Sequence, residues 1–217
     1  QRDALAPALE RALRASDGNA SRRLLLTRAF IELAWSPAAL EELKQLLADP
    51  PLASRDKFRI VQRLTLRGDP QAQARLAAQS AADTGDDGRR YAYAAAAARP
   101  EAKRELLRDF LDDRSLPESW IEAALAPLNA PEQAAQTQPL LAEALARLPQ
   151  LKRTRKIFFV GNWLAAFIGG QTGRGALAQV EAFLRRGDLD RDLRLKVLEA
   201  MDGLERAVRI RARFADE

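Results

Sequence analysis

Helix start signals return along this chain at a nearly constant interval, and that interval limits its fold more than any other feature. The first helices of successive pairs begin near Ser21, Ser54, Asp87, Pro117 and Leu151, 30 to 34 residues apart. A fixed period in this range marks stacked helix–turn–helix units. Each pair has more apolar surface than it can bury alone, so neighbours must stack. No strand pattern competes: there is no alternating Val/Ile/Thr run and no Asn-Gly or Asp-Gly hairpin turn between strands.

The individual signals agree. Ser36-Pro37 supplies an N-cap followed by proline at the first helical position, which starts a helix carrying Leu40, Leu43, Leu46 and Leu47. Asp49-Pro50-Pro51 stops it. Ser54 reads as the cap of the next helix, with Phe58, Ile60, Val61, Leu64 and Leu66 along it and Gly68 closing it. Asp69-Pro70 caps another, and an alanine-rich helix over 89–99 follows the polar loop 83–88. Ser115-Leu116-Pro117-Glu118 has the form of a capping box. Residues 151–168 read as one apolar helix, 175–186 as an amphipathic one, and Asp190 caps a last helix reaching Phe214. The expected fold is all-α: a superhelical stack of antiparallel helical hairpins, an α-solenoid of the HEAT or armadillo type. It forms a single domain over 1–217, with residues 129–139 the one candidate linker. A curved stack has a concave face, which is its natural binding surface.

Composition narrows the chemistry. Apolar residues make up 47% of the chain and charged residues 30%, a balance that suits a globular core. There is no cysteine and no histidine. Disulfides, thiolate nucleophiles, serine triads, Cys-His dyads and H-E-x-x-H zinc sites are therefore excluded within this chain, so it is not by itself a histidine-, cysteine- or zinc-dependent enzyme. The longest uncharged stretch, 157–173, is broken by Gly161, Asn162, Gly169 and Gly170 and reads as a buried helix with a loop rather than a membrane span. Net charge is +5, but 35 basic residues face 30 acidic ones and are interspersed with them. Phosphate binding needs clustered charge, so no nucleic-acid partner is expected. The chain begins with Gln1 and its only methionine is Met201; it reads as the C-terminal fragment of a longer polypeptide. The wealth of Ala, Arg and Leu is that of a GC-rich bacterial genome, and a soluble protein of the cytoplasm or periplasm is expected.

Several short motifs have plainer explanations than chemistry. Ser54-Arg55-Asp56-Lys57 matches S-x-x-K, but the companion S-D-N and K-T-G elements of acyl-transfer enzymes are missing. The glycine run 169–175 lacks the Lys-Ser/Thr ending of a phosphate loop and follows a helix, so it reads as a flexible turn. Asp83, Asp86 and Asp87 lack EF-hand spacing and read as helix caps. Lys152, Arg153, Arg155 and Lys156 form the densest basic cluster, which reads either as a solvated first helical turn or as a site for capturing a carboxylate or phosphate group. Arg206, Arg209, Arg211 and Arg213 suit a helix C-terminus and would also suit an acidic neighbour. Tyr91 and Tyr93 are candidate ligand contacts if they face the concave side.

Asp83-Thr84-Gly85-Asp86, then Gly88-Arg89, then Ala96-Ala97-Ala98-Arg99-Pro100-Glu101-Ala102-Lys103, together resemble a stretch in the C-terminal helical domain of aminopeptidase N-type zinc metallopeptidases. Asp56-Lys57-Phe58-Arg59-Ile60-Val61 with Gly68 resembles the hairpin before it, and Leu193 through Arg209 resembles that family's closing helix. The likeness spans about residues 22–213. It implies a non-catalytic helical bowl that covers the active-site cavity of a zinc-dependent aminopeptidase and controls peptide access. Zinc would then sit in a separate catalytic domain of the same polypeptide. The partners it implies are that domain and peptide substrates. Basic side chains on the inner face of such a bowl would attract a peptide's terminal carboxylate, which makes Lys152, Arg153, Arg155 and Lys156 the candidate peptide contacts, with Tyr91 and Tyr93 beside them. The alternatives are a free-standing α-solenoid scaffold for protein partners and, behind it, a basic helical-repeat binder of nucleic acid.

Overall fold

The computed structural model describes residues 7–9, 11–12, 19–48, 51–156 and 158–214. All regular structure among the described residues is helical. The expected stop at Asp49-Pro50 lies outside them. The chain divides into two compact units, Gln1–Ala96 and Ala97–Glu217.

Unit 1 is built from α1 (Ala20–Leu33), α2 (Pro37–Leu47), α3 (Ser54–Leu66), α4 (Ala72–Ala82) and α5 (Asp86–Ala96). Helix α3 is the hub: α1, α2, α4 and α5 all pack on it. It can serve as one because it buries residues around most of its circumference, Phe58, Ile60, Val61 and Leu64 among them. Two charged side chains are buried with these. Asp56 accepts from Arg28 Nε and Nη2 at 3.1 Å each. Arg63 donates to the carbonyls of Ile31 at 3.0 Å and Glu32 at 2.5 Å, satisfying carbonyls that the end of α1 leaves unpaired.

The local signals account for several boundaries. Asn19 Oδ1 accepts from Arg22 N at 2.9 Å and starts α1, and Ser36 Oγ accepts from Ala39 N at 3.2 Å, with Pro37 first in α2. Gly68, at φ 74°, turns the chain out of α3 while Asp69 N donates back to Leu64 O at 3.0 Å. Ser54 is different from its expected role. Ala53 occupies the cap position without a side-chain bond, and Ser54 Oγ donates instead to Asp83 Oδ2 at 2.5 Å. Asp83 also accepts from Gly85 N at 3.2 Å, so it joins the start of α3 to the turn before α5. That turn is short, and α5 begins at Asp86 rather than Arg89.

Unit 2 opens with a 3-10 turn, Pro100–Ala102, followed by α6 (Lys103–Asp112) and α7 (Glu118–Leu128). A second 3-10 turn, Pro131–Gln133, leads to α8 (Ala134–Ala146), α9 (Leu148–Thr154), α10 (Phe159–Phe167), α11 (Arg174–Leu184) and α12 (Arg191–Arg213). Helix α6 packs on α8, α8 on α11, α7 on α10, and both α10 and α11 on α12. Aromatic rings fill the centre. Trp163 is fully buried, with its ring centroid 5.8 Å from Phe159 and 4.4 Å from Phe167, and its Nε1 donates to Ala144 O at 3.2 Å. Lys103 is buried too, and its Nζ donates to Leu128 O at 2.5 Å, closing the end of α7.

Four expectations for this unit need correction. Residues 129–139 are not a linker, since Asn129, Ala130, Gln133 and Thr137 are buried. The glycine run after α10 is close-packed rather than loose. A Cβ on Gly170 would lie 2.0 Å from Asn129 O, so only glycine lets the two segments meet. Ser115 caps no helix, because Pro117 holds the cap position of α7. Its N–H and Oγ both donate to Asp113 Oδ1, at 2.8 and 2.7 Å, in a separate turn. Finally, residues 151–168 form two helices, α9 and α10, separated at an extended Arg155. A continuous helix would place Lys152 and Lys156 at i and i+4 of a stripe continuing through Phe159 and Trp163, which are both fully buried. One straight helix cannot keep the exposed Lys152 and Lys156 and the buried Phe159 and Trp163 on the same stripe, and the break lets each pair have its own environment.

Candidate functional site: a cleft at the α9–α10 junction

The break after α9 gathers the basic cluster at the surface of unit 2, and its members then differ. Lys152 is exposed but already paired within the chain. Its Nζ lies 2.7 Å from Asp190 Oδ1 and 3.0 Å from Asp192 Oδ2, at the start of α12. Those hydrogen bonds hold its ammonium above the usual lysine range. In return, Asp190 is drawn below the usual carboxylate range, first by Lys152 and then by the Leu193 N–H that it caps. Asp192 is lowered mainly by Lys196, 2.5 Å away, and then by Lys152.

Arg155 is turned inward. Its Nη2 donates to Phe110 O at 3.0 Å, and its guanidinium carbon lies 5.4 Å from the Phe159 ring centroid. Arg153 and Lys156 are exposed, and no ion pair is described for either. They border two different depressions. Lys156 lines an open cleft of about 330 Å³ together with Lys152, Arg155, Val160, Asp192 and Lys196. Arg153 lines a neighbouring one of about 360 Å³ with Pro149, Asp188, Leu189, Asp190 and Leu193.

The first cleft has the better chemistry for a small anionic ligand. Four cations and one carboxylate surround it, and Val160 gives it an apolar patch. Asp192 is already shared between two lysines, so the local balance stays positive. An incoming carboxylate would meet Lys156, for which no ion pair is described, with Lys196 beside it shared with Asp192. Phe158, just before α10, is 78% exposed.

Tyr91 and Tyr93 belong to unit 1, on α5, and the four basic candidates belong to unit 2. Tyr91 packs its ring 6.2 Å from Phe58, and both tyrosines are half-buried within their own unit. Trp163 is core, and Trp35 lies under the Arg67 guanidinium, 3.4 Å from ring centroid to carbon. Asp83, Asp86 and Asp87 serve local structure: Asp86 and Asp87 pair with Arg89 and Arg90 one turn on. No group of three or more His, Cys, Asp or Glu able to hold a metal occurs among the described residues.

Sequence reasoning missed Asp192 and Lys196, which share the cleft, and the buried Lys103. Each left a signal. Asp190 and Asp192 are the acidic complement of the 152–156 cluster. Lys103 falls on the stripe of Leu106, Leu107 and Phe110 at helical spacing, which marks it as inward-facing. Burial brings its pKa down from 10.5 to about 8, against a smaller upward pull from Glu101. Among the described residues no helix is long and apolar enough to cross a membrane. No protein-family model matches the sequence, and no curated protein matches it.

Proposed function

We propose that the chain is the non-catalytic helical domain of a zinc-dependent aminopeptidase, a stack of hairpins that covers the catalytic cavity and limits which peptides enter. The ordered likeness of segments 56–68, 83–103 and 193–209 to that family supports the reading, and so does the all-helical architecture. In this reading the catalytic domain of the same polypeptide holds the zinc, and this chain contributes peptide binding. The observation that carries the binding role is the open cleft where Lys156 and Lys196 flank Val160, a place for a peptide's terminal carboxylate and last side chain.

Two experiments test it. The reading frame upstream of Gln1 should encode an H-E-x-x-H helix with a distal Glu ligand; a frame without one removes the aminopeptidase assignment. In the full-length enzyme, Lys156→Ala combined with Lys196→Ala should raise KM for short peptides about three- to tenfold and leave kcat unchanged, since the lost contact binds ground state and transition state alike. An unchanged KM removes the carboxylate role. Lys152→Ala should do less, because that ammonium is already held by Asp190 and Asp192.

A further inference from the structure

Beyond the carboxylate cleft, the same side of α12 continues as an uncovered surface. Asp192, Lys196, Glu199, Gly203, Ala207, Ile210 and Phe214 recur at helical spacing and share one face of the helix. Along the first half of that face, α10 forms the opposite wall, and the two helices enclose a cleft of about 280 Å³ lined by Gly161, Leu164, Ala165, Lys196, Glu199 and Ala200. Gly161 on one wall is open above its backbone, with nothing within 4 Å of a built Cβ, and the same is true of Gly203 one turn further along α12. Beyond Gly203, Ile210 and Phe214 are each 53% exposed.

The first half of this strip is mixed in charge, with Asp192, Lys196 and Glu199 on it, but its far end is one-sided. Residues 206–213 carry four arginines, Arg206, Arg209, Arg211 and Arg213, and no acidic residue. Attraction to the helix dipole accounts for cations in the last turn only, because it fades within that turn. It explains Arg211 and Arg213 but not Arg206 and Arg209. Arg206 has Asp202 3.1 Å away, and no ion pair is described for Arg209.

We propose that the α10–α12 cleft and the last three turns of α12 form one docking groove for an amphipathic helix of a partner, apolar on its inner face and acidic on its flanks. The concave start of the groove, with the side-chain-free Gly161 on its α10 wall and Gly203 one turn beyond it on α12, accepts ridges from another helix. Ile210 and Phe214 supply the apolar anchors, and the arginines select acidic flanks and oppose a second copy of this chain. A lipid surface would meet the exposed Ile210 and Phe214 but would leave the α10–α12 cleft, which lies below them along the same face, unfilled. The proposal rests on the groove itself and not on the aminopeptidase reading.

The test uses the whole chain and two labelled helical peptides of about 18 residues. Both carry leucine at i, i+4, i+7 and i+11; one has glutamate flanks and its twin has lysine flanks. Anisotropy titration should show the acidic peptide binding at least about tenfold tighter than the twin, with the difference shrinking at high salt. Gly203→Leu should leave the melting temperature unchanged or raised, since the site is open and leucine is the better helix former, while weakening the acidic peptide at least about tenfold. Arg209→Glu with Arg213→Glu should reverse the preference. The proposal falls if both peptides bind equally or neither binds, or if Gly203→Leu has no effect on binding. It also falls if the chain self-associates in sedimentation through Phe214, or if phosphatidylserine vesicles capture it in a Phe214-dependent way.

Discussion

The two units hold their helices together by different means. In unit 1 the hub helix α3 is fastened to α1 by charge: Asp56 grips Arg28, and Arg63 reaches the carbonyls at the end of α1. In unit 2 the corresponding work falls to aromatic packing around Trp163, and the one buried cation described there, Lys103, meets a backbone carbonyl rather than a carboxylate. A carboxylate partner keeps a buried charge charged, whereas a carbonyl leaves much of the desolvation cost uncompensated. Burial pushes the Lys103 pKa down to about 8.

The largest effect should come from the aromatic centre. Trp163→Ala should cost about 4 kcal/mol, combining lost burial with a cavity that the surrounding helices cannot close, read from the urea midpoint. Arg28→Ala should cost about 3 kcal/mol, because it leaves the buried Asp56 carboxylate unpaired; a loss well below that would mean that the Asp56–Arg28 pair does not fasten α3 to α1. Lys103 sharpens the comparison through pH. Between about pH 8 and 10.5 the unfolded chain binds a proton that the folded chain has released, so stability should rise with pH across that window, by up to about 3 kcal/mol. Below about pH 8 lysine is protonated in both states and contributes no slope. Lys103→Met should flatten the rise in urea titrations at successive pH values. The smallest effects concern the caps. Ser36→Ala should cost about 1 kcal/mol and Ser115→Ala under about 0.5, since only Ser36 bonds a helix N–H.

Much of the helical plan was legible because its signals are local. Ser36, Gly68 and Asp190 work through residues three to five positions away. Ser54 misled because its hydroxyl has a better partner in Asp83, far along the chain, and Ser115 misled because Asp113 captures it first. The basic cluster was visible as a cluster. Its division into a clasped Lys152, an inward Arg155, and exposed Arg153 and Lys156 was not, since the carboxylates that hold Lys152 and the carbonyl that holds Arg155 belong to residues far along the chain. The division between units at residues 96 and 97 falls inside an alanine run with no break in composition.

Neither glycine nor proline lies within residues 150–160, where α9 gives way to α10. The boundary there is written in ammonium groups. Lys152→Leu with Lys156→Leu would erase that punctuation, and the two short rods could then fuse into one, raising the helical circular-dichroism signal while dissolving the cleft they now frame. A stretch of chain can thus owe its corner to what must remain wet rather than to any residue that bends it.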